Sequence, residues 1–159
     1  MNIHKLTNAI VRKYHTRNPF DIIREKNVIL IFAPLKDVRG FYQYFQRNHI
    51  IYIDENLSMH EKAFVCAHEL GHMLLHKKAN AVFMDTRTFF NTNKYELEAN
   101  LFAAELLIPD DIILEYHYYT TEQLARLLGY DRGLVELKRK YIGINEKTMK
   151  RGDFLGIEF

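Results

Sequence analysis

From Ile3 to Tyr14 the apolar residues keep the spacing of an amphipathic helix. Asn18-Pro19 punctuates it before a short second helix from Phe20 to Arg24. The pattern then changes. Val28 to Phe32 is a compact β-rich run, and Phe41 to Phe45 and His49 to Ile53 follow it, separated by polar Gln46, Arg47 and Asn48, as a hairpin would be. Ser58 and Glu61 form a capping-box pair, which predicts a helix start. Ala63 to Ala67, Leu70 and Met73 to Leu75 make the following stretch apolar on nearly every side, and Lys77 and Lys78 suit the negative end of the helix dipole. Residues 59–77 therefore predict a buried helix. A second long helix is expected from Asn93 to its stop at Pro109. Near the C-terminus Thr120 and Gln123 form another capping box, Gly129 ends a short helix, and Asp131 begins the next. Three strands beside these helices give a small α+β fold.

Composition sets the frame for function. At 159 residues, 48% hydrophobic, the chain can bury one core and is expected to be a single domain spanning 1–159. One cysteine excludes an internal disulfide and is compatible with a reducing compartment. Met1 to Arg17 lacks the apolar core of a signal peptide, and no apolar run approaches a membrane span, so the expected location is the cytoplasm. A net charge of +2 is too small to imply nucleic acid as a partner.

The string HELGH, from His68 to His72, carries the chemistry. Four residues make slightly more than one helical turn, so His68 and His72 project from nearly the same face and can share one metal ion. Zinc is the usual occupant, and a catalytic zinc site keeps a position open for water. Glu69 lies at the edge of that face, placed to accept a proton from that water, as in a zinc peptidase. The structural alternative is two core histidines hydrogen-bonded to backbone, with Glu69 solvated. Cys66 reads as a small buried hydrophobe. His76 is one turn further on, but three ligands on one straight helix cannot converge on a tetrahedral ion, so it reads as a packing or cleft-wall residue. Tyr95, Tyr116 and His117 are each able to donate to an oxyanion, and no spacing rule selects among them.

The second long helix offers Glu96, Glu98 and Glu105 as a third ligand. With Asn93 as N-cap, Glu96 would also suit a capping box. Together with HELGH, the residues Glu96, Ala99, Asn100, Phe102 and Ala103, followed by Leu106, Leu107 and Pro109, resemble the ImmA/IrrE family of zinc metallopeptidases over about Ile50 to Pro109. The expected fold is a small zincin-like one, its three-stranded sheet packed on the HExxH helix and the glutamate-bearing helix, with the zinc-site core in residues 50–109 and a helical C-terminal region in 110–159. The resemblance implies one zinc per chain held by His68, His72 and Glu96, with Glu69 as catalytic base. Asn100, one turn beyond Glu96, is placed to orient a ligating histidine. Glu98 points to another side of that helix.

Best-understood members of the family cleave a partner helix-turn-helix repressor and so derepress phage or mobile-element genes. The resemblance thus implies a regulatory endopeptidase with a protein substrate. Two alternatives stand beside it: a non-cleaving anti-repressor that binds a transcription regulator, and a less selective peptide-processing metallopeptidase. The His49 to Ile53 strand is the expected sheet edge for an extended substrate. The apolar stretch 78–92 reads as an extra strand, a lid, a gripping patch or simple packing. Lys138, Arg139 and Lys140 on the last helix read as a solvated basic face, with direct DNA binding disfavoured and protein docking preferred.

Overall fold

The computed structural model describes residues 2–76, 83–84 and 94–144. The N-terminal helix α1 (Ile3–Tyr14) is capped by the Asn2 side chain, and α2 (Pro19–Glu25) by Asn18 with Pro19 in the first turn. Strands β1 (Ile29–Ala33), β2 (Gly40–Phe45) and β3 (Asn48–Asp54) follow. The expected hairpin joins β2 to β3 through Gln46 and Arg47, both in the left-handed region at φ 46° and 66°, which matches the twist of a two-residue turn.

A two-residue strand, β4 (Phe83–Met84), pairs with Phe41 and Tyr42 and extends the three expected strands to four, in the order β1-β3-β2-β4. The rest of the 78–92 stretch lies outside the described residues. The expectation that β3 is the sheet edge is overturned. β3 is central, parallel to β1 on one side and antiparallel to β2 on the other. The reason is backbone satisfaction. The apolar β1 run needs a partner for its N–H and C=O groups, and β3, entering after the hairpin, supplies it while burying Ile51 and Ile53 completely. A hairpin signal concerns adjacent strands only, so it cannot reveal this pairing.

Helix α3 (Met59–Leu75) starts at the expected capping box, with both reciprocal Ser58–Glu61 hydrogen bonds formed, and is buried from Phe64 to Met73. It packs on β2 and β3 and, on another side, against α4 (Lys94–Leu107), which runs antiparallel to it. Gly71 sets their separation. A Cβ there would lie 3.2 Å from the Ala99 Cα and 3.2 Å from the Phe102 ring, so the two helices approach at a spacing that only glycine leaves unstrained. A short helix that the sequence pattern did not predict, α5 (Asp110–Glu115), follows Pro109, and α6 (Thr121–Leu128) and α7 (Arg132–Tyr141) flank Gly129 as expected.

Helix α7 departs from the expected solvated basic face. Lys138 and Arg139 are 1% and 2% exposed, whereas Lys140 is exposed. Lys138 Nζ donates to Glu105 at 2.6 Å and also to Asp110, and Glu105 in turn meets His4 Nδ1 at 2.6 Å. Arg139 donates to the Tyr119 carbonyl at 2.7 Å and the Thr121 hydroxyl at 3.1 Å. These cations cross-link helices instead of facing a phosphate backbone. Among the described residues no helix is long and apolar enough to cross a membrane.

Candidate metal centre

One turn of α3 and the first turns of α4 bring the sequence-predicted groups together. His68 Nε2 and His72 Nε2 are 3.0 Å apart. The Glu96 carboxylate reaches across from α4, with one oxygen 3.2 Å from His68 Nε2 and the other 3.2 Å from His72 Nε2. These separations suit a metal. Zinc–ligand bonds of about 2.0–2.1 Å in a tetrahedron place ligand atoms about 3.3 Å from one another, close to what the three side chains already adopt. Both histidines are buried and Glu96 is half-buried, so the triad is a pre-formed donor set that can hold a metal ion.

Electrostatics favour the ligating forms. Burial alone pushes the Glu96 carboxyl upward, but hydrogen bonds from His68 and His72 and their charge outweigh it, holding the group down at about 2. It is therefore a carboxylate at any physiological pH. Burial pushes His72 below the ordinary histidine value, outweighing its hydrogen bond to the Glu96 carboxylate, and so favours the neutral ring. The other ring is oriented from α4: His68 Nδ1 donates to Asn100 Oδ1 at 2.9 Å, so that whenever the ring is neutral with this bond intact its lone pair lies on Nε2. Glu69, fully buried, follows His68 directly on α3.

The remaining candidates separate by position. Glu98, two residues beyond Glu96, lies 3.8 Å from both Lys94 and His76, away from the triad. Asn93, the possible cap partner of Glu96, lies outside the described residues. Glu105 is occupied by Lys138 and His4. His76 terminates α3 with its Nε2 3.2 Å from the Tyr95 carbonyl, in the packing position expected for it. Tyr95, whose ring meets His76 edge-on at 4.6 Å, adjoins Glu96 on α4, while His117 bonds to the Leu114 carbonyl beyond α5. Cys66 is completely buried, and burial followed by the charge of Glu69 drives its thiol pKa upward, so it is an inert core residue.

A family model described as the IrrE N-terminal-like domain, a peptidase family, matches residues 23–141. The chain is 42% identical over 132 residues to "Uncharacterized immunity region protein 2" of Bacillus phage phi105, covering 81% of this chain and 84% of that one. It is 30% identical over 146 residues to "Metallopeptidase ImmA" of Bacillus subtilis (strain 168), covering 88% and 85% respectively. The resemblance extends well beyond the residues on which the sequence motif rests.

Proposed function

Because the chain belongs to the IrrE N-terminal-like peptidase family, we propose that it is a zinc-dependent endopeptidase whose substrate is a helix-turn-helix repressor, cleaved to release transcription of phage or mobile-element genes. The observation that carries this reading is the convergence of His68, His72 and Glu96 at 3.0–3.2 Å with Glu69 next in sequence to a ligand. A purely structural metal site has no use for a carboxylate in that position. The similarity to a metallopeptidase supports the chemistry, and the similarity to a phage immunity-region protein supports the setting.

In this reading His68, His72 and Glu96 hold one zinc per chain. When bound, the metal supplies Lewis acidity that makes water easier to deprotonate and polarises the scissile carbonyl. Glu69 accepts the proton of the attacking water and passes it to the departing amine, the general-base and general-acid roles of one carboxyl group. Asn100 keeps the His68 ring in the tautomer and orientation that ligation requires.

The test pairs metal content with cleavage. Wild type should carry about one zinc per chain and cut a helix-turn-helix repressor encoded beside it, and His68→Ala should lose both properties. Glu69→Gln should keep the metal and the fold and lose cleavage. Repressor bound but never cut by wild type would replace this reading with that of a non-cleaving anti-repressor.

A further inference from the structure

A groove of about 200 Å³ opens where the start of α3 meets β2 and the α6–α7 turn. Its floor is Phe64 and Leu134, both buried, and His60 and Tyr130 wall it with rings in edge contact at 5.6 Å. The polar groups are already engaged. Arg39, itself buried, lies over the Phe64 ring at 5.8 Å and pairs with Glu61 at 3.4 Å, and Asp131 Oδ1 caps α7 through the Gly133 N–H at 2.7 Å. The interior therefore offers apolar and aromatic surface, in a volume suited to a single large side chain.

Its position ties it to the metal centre. His60, Phe64 and His68 lie at successive i, i+4 positions on one stripe of α3, and the Phe64 and His68 rings meet at 5.8 Å. At about 1.5 Å per residue, Phe64 and His60 lie roughly 6 and 12 Å along the helix from His68. An extended peptide at about 3.3 Å per residue spans that distance in two to four residues.

We infer that this groove is a substrate subsite that takes one large apolar side chain, aromatic or aliphatic, two to four residues from the scissile bond. The inference rests on the endopeptidase reading for its meaning, and the experiment keeps the two separable. Zinc-loaded wild type is incubated with a mixture of synthetic peptides randomised in sequence, and cut ends are sequenced by mass spectrometry. In parallel, zinc-loaded Glu69→Gln protein is used to retain intact peptides, whose enrichment is read in the same way.

Wild type should favour Phe, Tyr, Leu, Ile or Met at one position two to four residues from the cut. Leu134→Phe, which fills the floor, should lower that preference about tenfold and leave other positions unchanged. Zinc content and thermal midpoint serve as fold controls, and His60→Trp, at an exposed position in the wall beside Gly129 and Tyr130, fills the groove from its other side should Leu134→Phe not fold. A profile unchanged by either filled groove overturns the inference while the endopeptidase reading stands. Groove-dependent retention by Glu69→Gln protein, with neither the peptides nor the repressor cut by wild type, makes the groove a docking site without a scissile bond and overturns both the subsite and the endopeptidase reading.

Discussion

Removing the acceptor on Asn100 should weaken zinc binding far more than it weakens the fold, and the reason lies in the tautomer of His68. Asn100 is 4% exposed and its Oδ1 takes the His68 Nδ1 proton at 2.9 Å. In Asn100→Leu, similar in volume but without an acceptor, the metal-free ring has a way out. It can carry its proton on Nε2 and donate to Glu96, which lies 3.2 Å away. Zinc closes that route, because it needs the Nε2 lone pair and forces the proton onto an Nδ1 that then faces apolar surroundings. A buried donor left without an acceptor costs about 1–3 kcal/mol. Since the penalty falls on the metal-bound state, it converts at about 1.4 kcal/mol per decade into a loss of about 5- to 150-fold in zinc affinity.

The assay is competition for zinc against a chelator of known affinity, with urea unfolding of the metal-free protein alongside. Asn100→Asp restores an acceptor with a full charge, makes the ring a better ligand and should bind zinc at least as tightly as wild type. Wild-type zinc affinity in a folded Asn100→Leu protein would refute the role given to Asn100 and, with it, the assignment of Nε2 as the ligating nitrogen of His68.

Three further outcomes follow from the same structure. Glu96→Ala should lower zinc affinity sharply and Glu98→Ala far less, because only Glu96 lies within 3.2 Å of both histidine nitrogens; chelator competition that ranks them the other way would show that the wrong carboxylate has been chosen. Lys138→Met should cost about 3–5 kcal/mol in urea unfolding, since it leaves buried Glu105 without its ammonium, and adding Glu105→Leu should recover much of the loss; a single variant as stable as wild type would refute this account of the pair. Hydrogen bonds from the Ser58 backbone and hydroxyl hold the Glu61 carboxyl below 4.5, so its contribution is present above that pH and is lost as pH falls through the folded value. Glu61→Gln, which retains the capping geometry, should therefore lose less stability than wild type on acidification below pH 4.5, and parallel acid-unfolding curves would contradict the shift.

What the sequence made legible was whatever local periodicity controls. The capping pairs Ser58–Glu61 and Thr120–Gln123 both form, and His68 and His72 converge because one helical turn leaves their side chains no other relation. The choice of Glu96 over Glu98 followed from the face of α4 it shares with Asn100, and the structure places those two residues against His68 and His72 and Glu98 beside His76. The position of β3 was not legible. Its partner β1 lies some twenty residues upstream in register, Ile29 opposite Ile50, and nothing in either run encodes the other.

Lys138 shows why charge is harder to read than hydrophobicity. The α7 stripe of Leu134, Val135, Lys138 and Arg139 is buried as a unit, so the helical period did carry a signal that these two cations face inward. A basic side chain reads as solvated until its counter-charge is known, and for Lys138 that counter-charge is Glu105, thirty-three residues earlier. Helix α4 thus presents two carboxylates to the interior, Glu96 and Glu105, and what faces each decides its use. Lys138 brings Glu105 an ammonium at 2.6 Å, which completes an ion pair where His4, Glu105 and Asp110 would otherwise stand as a second donor cluster. Glu96 faces two buried imidazoles, and burial favours the neutral form of the His72 ring. A carboxylate held ionised beside two imidazole nitrogens that can give up their protons is a donor set that a cation would complete, and that contrast, more than the spacing of the glutamates, separates the candidate metal site at one end of α4 from the structural clamp at the other.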